Sequence, residues 1–199
     1  MRPGWTRRRR VVVPRCSAAA TAVGIDLGTT NSAVSVMRDG APVVVRNDEG
    51  SCTTPSAVTY LESGEVVVGR RARQMASRYP TSTFISIKRL LGKEYPPKPN
   101  HPFNAPLIAF RYQDAADEGR ALGLEVMKGE GGETLLGCQN VPEGILRPED
   151  VAAEVVRYLL KCASEELDGA SIDRCVISVP AYFNDRQREA TVAAVTFGP

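Results

Sequence analysis

Residues 23–37, VGIDLGTTNSAVSVM, decide how this chain is read. A short apolar run carrying one carboxylate, Asp26, breaks at Gly28-Thr29-Thr30-Asn31 and resumes as alternating apolar residues. The plain reading is a strand, a tight turn and a second strand, because glycine and threonine are common in turns. The sharper reading is a phosphate cradle. Gly28 has no Cβ to keep an anion away from the backbone. The N–H groups of a tight turn form an anion nest, to which the Thr29 and Thr30 hydroxyls add donors. Asp26 can hold a magnesium ion through its waters, since magnesium gives up its hydration shell reluctantly. The local pattern leaves both readings open.

Working outward, apolar runs at 23–27, 33–37 and 43–46 are separated by GTTN and RDGAP, which predicts an antiparallel meander. SAVTYLESGEVVVG predicts a further hairpin turning at Ser63-Gly64. Residues 70–79 read as a helix ended by Pro80, and FISIKRLLG (84–92) as a short helix closed by Gly92. LIAFRYQ, ALGLEVMKG and ETLLG read as a second set of strands, with polar loops at 114–120 and 129–133 between them. The strongest helix is 148–167: Pro148 takes the first position, Glu149 and Asp150 suit the positive end, and Gly169 stops it. RCVISVP follows as a buried strand ending at Pro180, and Asn184 caps a last helix, DRQREATVAAV. Strands followed by strand, helix, strand and helix give an α/β layering.

Composition excludes several function classes. The chain has 199 residues, 43% apolar and 24% charged, with no apolar run of the ~18–20 residues that a membrane-spanning helix needs. The net charge of +2 hides an asymmetry: residues 1–25 hold six arginines and no acid, while residues 26–199 carry 19 basic and 23 acidic residues. A mildly acidic body argues against nucleic acid as a partner. Residues 1–22, MRPGWTRRRRVVVPRCSAAATA, have the composition of an organelle transit peptide. The PRCSAAA stretch places plastid stroma ahead of mitochondrial matrix. A basic disordered arm, or a spurious upstream extension of a cytoplasmic protein, are the alternatives. Cys16, Cys52, Cys138, Cys162 and Cys175 form no CxxC pair and read as isolated thiols. A single histidine, His101, excludes a histidine-ligated metal and Ser-His-Asp chemistry.

Two common phosphate devices are absent. There is no GxxxxGK[ST], because Gly92-Lys93 is followed by Glu94, and GEGGE at 129–133 does not have GxGxxG spacing. What remains is the hairpin cradle, and its company is specific. IDLGTTNSAV, DEGSCTTPSAV, IKRLLGK at 87–93 and VISVPAYFNDRQREAT at 176–191 stand in the order and spacing of the 70-kDa heat-shock chaperone family (DnaK type), which this chain resembles from about Val23 to Ala194. Asn31 after the threonine pair resembles the bacterial and organellar branch. The resemblance implies an actin-like, ribonuclease-H-type ATPase fold, first lobe only: a mixed sheet with an antiparallel meander and flanking helices. The domains implied are a leader over 1–22, the lobe over 23–195 and a divergent tail over 196–199.

Carried over position by position, the resemblance implies that Asp26 helps order magnesium. Gly28, Thr29, Thr30 and Asn31 would bind the phosphates of ATP or ADP, with Thr30 also orienting the attacking water. Lys88 would reach the γ-phosphate as a mobile point charge. Pro180 and Arg188 match a proline switch and an arginine relay that report nucleotide state. Outside the resemblance, Lys88 is an ordinary helix-surface charge, Pro180 a strand terminator and Arg188 a surface residue. The implied activity is ATP-driven folding of unfolded client proteins, with J-domain co-chaperones and a nucleotide-exchange factor as partners.

The chain also departs from the family. Cys52 stands where arginine usually precedes TTPS, residues 93–146 match poorly, DAADEGR is a polar insertion without an assigned role, and the pattern fades near Val195. The second glycine-rich phosphate loop, the adenosine pocket and the peptide-binding domain would lie past residue 199. Phosphoryl transfer depends on positioning from both sides, so a polypeptide of these residues alone is expected to bind ATP weakly and to hydrolyse it negligibly. Alternatives are a non-catalytic short form that binds chaperone partners or competes with the full-length protein, and a sugar-kinase or actin-like relative. VPAYFNDRQR argues against the last.

Overall fold

The computed structural model describes residues 9–13, 21–93 and 115–196, with 9–13 described as backbone. His101, Cys16, the proline-rich loop at 96–106 and the strand expected at LIAFRYQ lie outside the described residues.

The elements in chain order are β1 (Arg9–Val13), β2 (Thr21–Asp26), β3 (Asn31–Arg38), β4 (Ala41–Val44), β5 (Thr54–Pro55), β6 (Ala57–Tyr60) and β7 (Val66–Val68). Next come α1 (Arg70–Met75), β8 (Thr83–Ile85), a 3-10 turn (Ile87–Arg89), α2 (Ala115–Leu122), β9 (Val126–Lys128), β10 (Thr134–Gly137) and β11 (Ile145–Leu146). The last three are α3 (Pro148–Glu166), β12 (Ile172–Val179) and α4 (Asp185–Thr196). The main sheet runs β1-β12-β2-β3-β4, with β5 also on β3. Only β12 and β2 in it are parallel; β2, β3 and β4 form the expected meander. Two three-stranded sheets, β7-β6-β8 and β11-β10-β9, stand beside it.

The alternation of β2 and β3 turns Val23, Ile25, Val34 and Val36 to one face, where they join Ile177 of β12. The apolar stripe of α3 covers that face with Val151, Val155, Val156, Leu159 and Cys162. Both ends of α3 follow the expected chemistry. Asp150 accepts a hydrogen bond from the Arg147 N–H at 2.9 Å, and Gly169, at φ 83°, donates its N–H back to Ser164 at 2.8 Å. Asn184 caps α4 reciprocally, accepting from the Gln187 N–H at 2.9 Å while its own N–H reaches the Gln187 side chain at 3.2 Å.

Three expectations are corrected. Residues 84–92 are not one helix: Thr83–Ile85 pair antiparallel with β6, Ser86 takes a left-handed conformation (φ 60°), and only a 3-10 turn follows. Long-range pairing outweighs the helical periodicity there. Residues 115–122, expected as polar loop and strand, form α2, which lies close on β9 because Gly119 has no side chain. A Cβ on Gly119 would sit 2.0 Å from Val126 Cγ2. Lastly, part of the segment expected as a disordered leader over 1–22 is strand. Arg9–Val13 pair antiparallel with Val179–Cys175, so a β-branched run covers what would otherwise be the open edge of β12.

Candidate functional site

The parallel pair β2 and β12 ends at one place, and the carboxyl ends of parallel strands are where α/β sheets hold ligands. Asp26 closes β2 and is half-buried; the Ser178 hydroxyl of β12 donates to its Oδ1 at 2.7 Å. A carboxylate oriented by a neighbouring hydroxyl can hold a hydrated cation through its waters.

The Gly28–Asn31 turn is held by two serines the sequence reading passed over. The Gly28 N–H donates to Ser32 Oγ at 3.1 Å, the Ser56 hydroxyl donates to the Gly28 carbonyl at 2.8 Å, and the two serine oxygens lie 2.8 Å apart. Ser56 has spent its only proton on Gly28, so Ser32 must donate to Ser56. The result is a closed circuit from the N–H of Gly28 through both serines to its own carbonyl. Both hydroxyls are buried, Ser32 at 1% and Ser56 at 4% exposure. The Thr30 carbonyl is fixed as well, accepting the Ser56 N–H at 2.9 Å.

The circuit refines the role of Gly28. Its N–H points inward and is not part of an anion nest, and the space a Cβ would fill belongs to the Asn31 carbonyl, 1.9 Å away. Glycine is needed there for the turn to close. The open donors are its neighbours: the Thr29 and Thr30 N–H groups have no partner among the described residues, and Thr30 and Asn31 are exposed.

Lys88 comes to this turn from the 3-10 segment, 61 residues away in the chain. Its side chain is buried at 8% exposure, its Nζ donates to the Leu27 carbonyl at 2.5 Å, and the ammonium sits 5.5 Å from the centre of the Phe183 ring. A buried ammonium is costly unless it is hydrogen-bonded, so the position is built for it. It is not the solvated surface charge that its sequence setting suggests.

Phe183 also joins the two remaining residues to the site. Its N–H donates to the Pro180 carbonyl at 3.1 Å, and Arg188 Nη2 donates to the Phe183 carbonyl at 2.6 Å. Arg188 Nε lies 3.8 Å from Asp185 at the start of α4. Asp26, the Gly28–Asn31 turn and Lys88 are thus brought together, and Pro180 and Arg188 meet them through Phe183. Ser32, Ser56, Ser178 and Phe183 went unread. The only signal for Ser178 and Phe183 was their place in the VISVPAYFNDRQREAT stretch.

Comparison with known proteins agrees with this architecture. The Hsp70 protein family model matches residues 22–198. The chain is similar to "Chaperone protein dnaK" of Cyanidium caldarium, 39% identical over 169 residues, which are 85% of this chain and 24% of that protein. It is 38% identical over 177 residues to "Chaperone protein dnaK3" of Thermosynechococcus vestitus, covering 89% of this chain and 23% of that one. With "Heat shock 70 kDa protein 7, chloroplastic" of Arabidopsis thaliana it shares 40% identity over 169 residues, 85% of this chain and 21% of the relative. The chain therefore spans about a quarter of the length of the curated relatives it matches.

Proposed function

Because this chain belongs to the Hsp70 protein family, with the actin-like ATPase fold of that family, we propose that its turn and Lys88 form one side of an ATP/ADP clasp in a molecular chaperone. The observation that carries the reading is the pairing of free donors with a buried cation. The Thr29 and Thr30 N–H groups are open on a turn locked by two serines, and the Lys88 ammonium is fixed one residue before that turn, on Leu27. Preorganised N–H donors suit a polyanion because they need no reorganisation when charge arrives, and a flexible ammonium beside them can turn toward it.

In this reading Thr29, Thr30 and Asn31 take phosphate oxygens, and Thr30 also orients the attacking water. Lys88 releases the Leu27 carbonyl and moves its charge toward the terminal phosphate. Asp26, oriented by Ser178, would hold magnesium through water, and the ion would neutralise charge on the phosphates. Pro180 and Arg188, tied through Phe183 to the ring beneath Lys88, carry nucleotide state away from the site. Unfolded clients, J-domain co-chaperones and a nucleotide-exchange factor are the partners proposed for the whole protein. The Arg-rich composition of residues 1–22 supports a plastid address, and 23–195 form the lobe, whose sheet the Arg9–Val13 strand extends at its edge.

Titrating Mg-ATP into the isotope-labelled chain tests this by NMR. The Thr29 and Thr30 amides should shift first, and Lys88→Ala should weaken the response. Shifts that leave both amides unmoved, or that are the same in Lys88→Ala, would refute the site.

A further inference from the structure

The polar segment 114–120 has no assigned role, and the described part of it lies against the turn that carries Lys88. Glu118 of α2 is 4% exposed, a rare position for a carboxylate without partners. Its two oxygens are divided between two cations: Oε1 accepts from Arg89 Nη1 at 3.1 Å and Oε2 from Lys93 Nζ at 2.9 Å. Arg89 immediately follows Lys88, and Lys93 ends the same IKRLLGK stretch. One buried carboxylate therefore ties both ends of the segment that presents Lys88.

Ile87, Leu90 and Leu91 anchor the middle of that segment in the main core, and polar groups of other elements hold its far end. The Thr134 hydroxyl of β10 donates to the Lys93 carbonyl at 2.8 Å. Gly92 (φ 63°) abuts the start of α4, where an added Cβ would lie 2.7 Å from the Arg186 carbonyl oxygen. α2 itself is seated firmly, since Gly119 allows contact with Val126. Lys88 and Arg89 leave consecutive positions of a 3-10 turn, so holding the Arg89 side limits how far the Lys88 side can swing.

We propose that Glu118 is a positioning residue for Lys88: by bridging Arg89 and Lys93 it holds the 87–93 turn so that the Lys88 ammonium stays at the Leu27 carbonyl beside the Gly28–Asn31 turn. The proposal rests on the reading of Lys88 as a nucleotide-binding group. Burial pushes the Glu118 carboxyl up, but the hydrogen bonds from Lys93 and Arg89 outweigh it and leave the pKa below the ordinary carboxylate value, so the bridge is charged at neutral pH.

The test uses the full chain with Glu118→Gln, which keeps the shape and removes the charge. Without nucleotide, amides 86–93 should exchange at least about tenfold faster while the α3 amides keep their protection, and acylation of Lys88 by an amine reagent should speed up to match. Unchanged exchange and acylation would overturn the clamp. Mg-ATP binding should weaken, and the double variant Lys88→Ala/Glu118→Gln should bind no more weakly than Lys88→Ala; a further loss in the double would overturn action through Lys88. If Lys88→Ala leaves nucleotide binding intact, the site reading fails, whereas exchange and acylation still judge the clamp. Lys93→Met leaves Glu118 paired with Arg89 and covers the case in which Glu118→Gln does not fold. It should show the same two effects, smaller, and their absence would overturn the proposal.

Discussion

The two-serine circuit makes a quantitative prediction, because each hydroxyl serves two contacts and one contact is common to both. Ser32→Ala removes the acceptor for the Gly28 N–H and the donor to Ser56; Ser56→Ala removes the donor to the Gly28 carbonyl and the acceptor for Ser32. At roughly 1 kcal/mol per buried hydrogen bond, each single substitution costs about 2 kcal/mol. The double variant loses three contacts in all, hence about 3 kcal/mol, which leaves a coupling of about 1 kcal/mol that belongs to the Ser32–Ser56 bond. Urea denaturation reads these differences. With a slope near 2 kcal/mol per molar, each single lowers the midpoint by about 1 M and the double by about 1.5 M. Additive losses would refute the circuit, since they would mean that the serines act separately. Single losses below about 0.5 kcal/mol would show that the hydroxyls contribute no more than ordinary surface groups.

Gly92→Ala should destabilise the chain by about 3 kcal/mol in thermal or chemical denaturation, from a left-handed backbone and a Cβ driven against α4; a loss under about 1 kcal/mol would mean the turn moves freely away from that helix. Asn184→Ala should cost about 1 kcal/mol through loss of the α4 cap, and Asn184→Asp should restore most of it. The bridge at Glu118 has a pH signature. Its folded pKa lies below the ordinary value, so its stabilisation is complete above the usual carboxylate range and fades as pH falls through the lowered value. The stability gap between wild type and Glu118→Gln should therefore shrink in acid, and a gap that widens would contradict the bridge. Thiol labelling at mildly alkaline pH, read by peptide mapping, should modify exposed Cys52 before Cys162 and Cys175, whose thiols are pushed up chiefly by burial; the reverse order would refute those burials.

The readable parts of the fold were those whose signals are local. Pro148, Gly169 and Asn184 mark helix ends through bonds to residues a turn away, and the meander alternates on its own. Thr83–Ile85 misled because the strand is decided by partners on β6, which no periodicity within 84–92 can express. α2 was missed because its close contact with β9 is made at Gly119, whose lack of a side chain carries no hydrophobic pattern. At the site, the motif residues were legible as a set through resemblance. Their supports were not: Ser32 and Ser56 are 24 residues apart, and a serine pair has no spacing rule. Only the fold brings them together on the N–H and the carbonyl of Gly28.

The same geometry separates two tasks that the sequence runs together. The turn is held from inside, by a circuit that uses both polar groups of Gly28 and leaves the donors of Thr29 and Thr30 outward. Lys88 is held from a different element, with its ammonium on the Leu27 carbonyl and near the Phe183 ring, while Arg89 and Lys93 bridge to Glu118 on the other side. A nest that must not reorganise and a cation that must move make opposite demands on stiffness. Here they meet at Leu27 and at Ser56, whose carbonyl accepts the Ser86 N–H at 3.3 Å, and Lys88 can release the Leu27 carbonyl without breaking a hydroxyl bond of the serine circuit. Loosening Lys88 should therefore leave the turn intact, whereas breaking the turn displaces Leu27 and with it the resting place of Lys88. Substitutions at Ser56 should reach Lys88, and substitutions at Glu118 should not reach Gly28.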